Sequence, residues 1–147
     1  MHASAGPSAP WENPRVTRFY DIDDATARLA DVRPLLEGLR RDRARIAEAQ
    51  RELEEFRGTN GNARHADEIR RREREMAAIV SRMEAAVQQL EDWDVTLRDI
   101  GSGLIDFPAL ANGRPIWLCW RLEDTGIGWW HETSEGFAGR KPLAELT

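Results

Sequence analysis

At Trp93 the hydrophobic repeat of this chain changes period, and that change divides the molecule into two kinds of structure. Upstream, apolar residues recur at Leu29, Val32, Leu36, Leu39, Ile46 and Leu53, three and four apart if Arg43 and Gln50 take the intervening places. Only a helix gathers such positions onto one stripe. A second stripe, Ile69, Met76, Ile79, Val80, Met83, Val87 and Leu90, predicts a second helix from about Ala63 to Asp92. Downstream the alternation is two-residue, over Trp93 to Arg98, Leu104 to Leu110, Ile116 to Glu123 and Ile127 to Glu132. Those are short strands. The predicted fold class is α+β: a long antiparallel, coiled-coil-like helical hairpin over 21–92, then a small antiparallel meander of three to four strands over 93–132.

The punctuation between these segments agrees. Asp21, Asp23 and Asp24 can cap free amides and favour the positive end of a helix dipole, so a helix starts there. Pro34 lacks an amide donor and Gly38 weakens the same turn, predicting a bend or a restart near Arg33. The run Gly58-Thr59-Asn60-Gly61-Asn62 stops the helix and folds it back. Antiparallel pairing about Gly61 sets Leu53 near Ile69, Ile46 near Met76, and Gln50 against Arg72 in a polar layer that would fix register. Two helices leave apolar surface uncovered, so they must pack on the sheet, on a second chain, or on both. Met1 to Pro14, with three prolines and no period, reads as a disordered extension in which Trp11 alone is suited to docking. Residues 15–147 form one domain, and the glycine-rich tail 133–147 wraps the sheet.

Charge and cysteine usage narrow the partners. A net charge of −5 demotes nucleic acid, whose binders neutralise phosphates with a basic surface. Lys141 is the sole lysine among 21 basic residues, a habit of GC-rich coding that makes any single arginine a weak signal. One cysteine, Cys119, permits no internal disulfide, and the start of the chain lacks the pattern of a secretory signal; a cytoplasmic location follows. No apolar run approaches the roughly 20 residues needed to span a bilayer.

Several runs look familiar together: Leu104-Ile105-Asp106-Phe107-Pro108-Ala109-Leu110, Leu118-Cys119-Trp120-Arg121-Leu122, Trp130-His131 and Gly136-Phe137-Ala138-Gly139-Arg140. They resemble the bacterial family catalogued as domain of unknown function 2203, over roughly Phe19 to Leu143. The resemblance implies this two-part layout and marks the first residues as an appendage. It implies no activity, substrate or cofactor.

Chemistry can be sought on the sheet. If Asn112-Gly113 makes a two-residue reversal, Asp106 stands across from Cys119. If Asp124-Thr125-Gly126 makes a three-residue loop, His131 also stands across from Cys119, and Arg121 lies opposite Trp129 with Trp117 on the other side. A one-residue slip would send His131 to the opposite face and put Glu132 in its place. Four readings follow. Asp106 and Arg121 can be a structural ion pair, with Cys119 a buried filler and His131 satisfied by one hydrogen bond. Asp106, Arg121, His131 and Arg140 can hold a small polar or anionic ligand between Trp117 and Trp129. The same Asp106, Cys119, Arg121 and His131 can serve acid/base or nucleophilic catalysis. A metal site is set aside, because no spacing matches a structural zinc pattern. The leading expectation is a ligand-binding or interaction module, a homodimer through its hairpin, and the competing one a small enzyme; no cofactor is named by these residues.

Overall fold

The computed structural model describes residues 18–59 and 61–146. The predicted N-terminal extension, Trp11 and Asn60 lie outside them. Helix α1 spans Ile22–Arg57 and helix α2 spans Ala63–Asp92. Both are capped as the sequence requires: the Asp21 carboxylate accepts from the Asp24 amide at 2.7 Å, and the Asn62 side chain accepts from the His65 amide at 3.2 Å. The expected restart near Arg33 does not occur. Pro34 lies inside one continuous helix with its ring in solvent, while Val32 and Leu36 on the inner face are fully buried. Burial of that face outweighs the missing hydrogen bond.

The expected polar layer is also corrected. Gln50 is exposed, and Arg72 turns to Glu68 at 2.9 Å and to the Phe56 ring at 4.8 Å. The helices are tied instead by a bidentate pair, Arg82 Nε and Nη2 donating to Asp42 Oδ2 and Oδ1 at 2.9 and 2.8 Å, and by Arg57 with Glu73. Such forked geometry fixes register better than a lone amide opposite a guanidinium.

Among the described residues five antiparallel strands follow in the order β1-β2-β3-β4-β5: Thr96–Asp99, Leu104–Ala111, Arg114–Trp120, Trp129–Glu132 and Lys141–Pro142. The β2–β3 hairpin has the predicted register, with Asp106 opposite Cys119 and Phe107 opposite Leu118. Asn112 and Gly113 both take positive φ, 52° and 80°, as a two-residue turn matched to strand twist demands. Pro108 sits beyond the last residue paired with β1, where β2 is an edge, and its carbonyl accepts from the Tyr20 amide at 2.7 Å. The tail is more regular than its glycines suggest. A short 3-10 turn at Phe137–Gly139 precedes β5, which pairs with β4.

One face of the sheet makes the core. Ile105, Phe107, Ile116, Leu118, Trp120 and Trp130 pack under Ala25, Leu29, Val32, Leu36, Leu39 and Leu90, and Tyr20 meets Phe107 edge-on at 4.9 Å. Beyond the sheet the hairpin thins: Leu53 is buried there, whereas Ile46, Ile79 and Met83 are half-buried and Val80 is 42% exposed. No helix among the described residues is long and apolar enough to cross a membrane.

Candidate functional site

The other sheet face carries the polar residues, and the register of β4 decides which meet. His131 pairs with Trp117, and Cys119 pairs with Trp129. The predicted opposition of His131 and Cys119 is therefore off by two residues. The cause is local. Asp124 folds back, its amide donating to the Arg121 carbonyl at 2.9 Å and its carboxylate accepting from the Arg121 amide at 3.1 Å, so the strand ends at Trp120 and the loop runs over 121–128. Gly126 does not adopt a positive φ, and no three-residue loop forms. A slip of two preserves the side of the sheet, so His131 stays on the face of Asp106 and Cys119.

Those three side chains converge. Asp106 is 2% exposed and Cys119 and His131 are 1% exposed, and one ligand-type atom of each lies within 4.8 Å of the others. His131 Nδ1 is 2.9 Å from the Glu132 carbonyl oxygen, which only accepts, so Nδ1 carries a proton and donates it. Nε2 is thereby aimed at Asp106 Oδ2, 3.0 Å away, and that contact holds one shared proton. Oδ2 also accepts from Arg98 Nε at 2.8 Å, whereas Oδ1, equally buried, has no hydrogen-bond partner. Burial pushes the Cys119 thiol up to about 12, the Asp106 charge pushes the same way, and Arg140 opposes them.

The arginines stand around this cluster in places partly foreseen. Arg98 was not singled out in the sequence, although its strand parity matches Thr96, which pairs with Asp106. It is the cation of Asp106 and lies over the Trp117 ring at 5.1 Å. The expected Asp106 to Arg121 pair is absent: Arg121 leaves the sheet with the Asp124 turn, its Nε 3.7 Å from Asp124 Oδ1, and does not stand opposite Trp129. Arg140 comes in from the tail over Trp129 at 4.3 Å and Phe137 at 4.2 Å, with Nη1 3.5 Å from Asp124 Oδ2. The rings of Trp117 and Trp129, which the sequence offered to a ligand, are thus covered by the chain's own arginines. A cavity of about 490 Å³ lies where the end of α2 meets the sheet, lined by Val87, Leu90, Glu91, Thr96, Pro108 and Trp117 among others, and none of the three cluster residues lines it.

A nitrogen, a sulfur and an oxygen donor at one buried point suit a divalent transition ion of the zinc type; hard ions such as magnesium avoid thiolate. Tetrahedral bonds would set the donors roughly 3.5 Å apart, so side-chain rotation of an ångström or so closes the set. His131, oriented by a backbone carbonyl through its other nitrogen, has the outer bond that metal-binding histidines generally make.

Comparison with curated proteins and with solved structures finds no match. A family model covers residues 18–143, both the hairpin and the whole sheet with its cluster. The chain belongs to the family described as uncharacterized conserved protein DUF2203.

Proposed function

We propose that this protein is a small enzyme whose reactive centre is the Asp106–Cys119–His131 cluster, and that the cluster works with a bound divalent transition metal. The observation that supports this most is the pairing of an unpartnered, buried carboxylate oxygen, Asp106 Oδ1, with a thiol and an imidazole nitrogen in the same pocket. A buried carboxylate and a thiolate repel one another, which is why Asp106 raises the Cys119 thiol. A cation held between Asp106 and Cys119 would reverse the sign, favouring the thiolate and giving Oδ1 a partner. Asp106, Cys119 and His131 would hold the ion with three protein donors, the number catalytic zinc sites use, and the ion would supply Lewis acidity to a polar substrate.

A free cysteine nucleophile fits poorly. A thiol at about 12 is ionised to roughly one part in 10⁵ at neutral pH. The 3.0 Å contact of His131 with Asp106 favours a second reading, a metal-free acid/base pair in which Nε2 takes and returns the shared proton. Titration with zinc followed by calorimetry separates the two. Stoichiometric binding that is lost in His131→Ala supports the metal centre, and no heat of binding supports the pair alone. A cytoplasmic location, and pairing of two copies through the half-buried hairpin stripe, complete the proposal.

A further inference from the structure

The geometry points to an oxyanion-binding subsite made by Arg140 and Arg121 beside the cluster, so that the molecule acted on bears a carboxylate or phosphate group; this rests on the cluster being the reactive centre. Two guanidinium groups compete there for one carboxylate. Arg140 Nη1 is buried with no hydrogen-bond partner, its closest carboxylate oxygen, Asp124 Oδ2, lying at 3.5 Å. Arg121 Nε is buried and unpartnered as well, 3.7 Å from Asp124 Oδ1. Asp124 Oδ2 already accepts the Arg121 amide at 3.1 Å. One carboxylate therefore leaves Arg121 Nε and Arg140 Nη1 each without a hydrogen-bond acceptor.

Charge and position make the missing acceptor an anion. Three guanidinium groups, Arg98, Arg121 and Arg140, meet two carboxylates, Asp106 and Asp124; the Arg98 and Arg121 side chains reach solvent, while Arg140 and both carboxylates are largely buried. A surplus positive charge in such a place attracts an anion strongly, and the planar fork of arginine matches an oxyanion in particular. The Trp129 and Phe137 rings, both within 4.3 Å of the Arg140 guanidinium carbon, hold it in place before any ligand arrives. Arg140 also acts on the Cys119 thiol, so an anion held by it adjoins the proposed metal ligands. Asp124 is the internal stand-in for that anion and steers the two arginines toward it.

The test uses the full chain, labelled with nitrogen-15 at arginine, in metal-free and cobalt-loaded forms. Inorganic phosphate and acetate are titrated separately at ionic strength held constant with chloride, and the arginine Nε–H resonances are followed. Saturable shifts of the Arg121 and Arg140 signals with either probe are expected, weakened at least about tenfold by Arg140→Gln and less by Arg140→Lys, which keeps charge but loses the fork. A tighter phosphate arm assigns a phosphate-bearing substrate, and a tighter acetate arm a carboxylate. Shifts that do not saturate, or that are the same in Arg140→Gln, overturn the subsite. Should Arg140→Gln not fold, Arg121→Gln is read in the same way. The metal-free arm keeps the inference separate: a saturable response there stands without a metal, and cobalt binding without any anion response removes the subsite alone.

Discussion

Burial takes water from Asp106 and Cys119 together, and much of the chemistry argued for this protein follows from that. In the metal-free protein the thiol is both 1% exposed and held at about 12. Aromatic disulfide reagents at about pH 8 should leave Cys119 unmodified in the native state and modify it fully in denaturant; rapid native modification would mean that the pocket opens freely. Asp106 accepts from both Arg98 and His131 on one oxygen, so Asp106→Asn should destabilise the fold by about 1–3 kcal/mol in denaturant titration. The sequence made Asp106, Cys119 and His131 legible as neighbours because strand alternation fixes which side of a sheet a residue takes. It did not reveal Arg98 as the partner of Asp106, since arginines are common in this chain. Nor could it show Asp124 drawing Arg121 out of the strand, because that depends on a side chain bonding its own loop rather than on any period.

At the level of elements, the two periods were enough to read both helices, the β2–β3 register and the buried face. What they missed are places where tertiary packing overrides a local preference. Pro34 is one: the helix runs through it, so Pro34→Ala should add about 1–3 kcal/mol by restoring a hydrogen bond at an exposed position, read from the thermal midpoint. Gly103 is the opposite case. Its φ is +66°, and an added Cβ would lie 2.5 Å from the Leu122 side chain, so Gly103→Ala should cost about 2–3 kcal/mol in the same assay. The Asp42 to Arg82 bridge gives the hairpin a pH signature. The Arg82 guanidinium holds the Asp42 carboxyl below the usual carboxylate range. A lowered folded value stabilises above that range and ceases to do so as pH falls through it. The difference in thermal midpoint between the wild type and Asp42→Asn should therefore be present near about pH 7 and close by about pH 3. Because the Arg82 side chain is well exposed to solvent, that difference is small.

For the molecule as a whole, the division at Trp93 separates the helical hairpin from the sheet that carries the buried cluster. The sheet and the base of the hairpin enclose the core, while the outer hairpin keeps a groove of about 430 Å³ along Leu39, Ile46, Met83 and Val87, with Val80 at its lip. If two copies meet there, sedimentation equilibrium should give a dimer that Val80→Asp converts to a monomer; a wild-type monomer at micromolar concentration would remove that part of the proposal. The chemistry is tested most directly by cobalt(II) substitution, because a thiolate bound to cobalt produces a charge-transfer absorption that no proton-sharing pair can imitate. Titrating the metal-free protein with cobalt should develop that absorption to a stoichiometry of about one ion per chain, with Cys119→Ser abolishing the band and Asp106→Asn and His131→Ala weakening binding. Absence of the band in the wild type, or a band that survives in Cys119→Ser, would contradict a metal centre at this cluster.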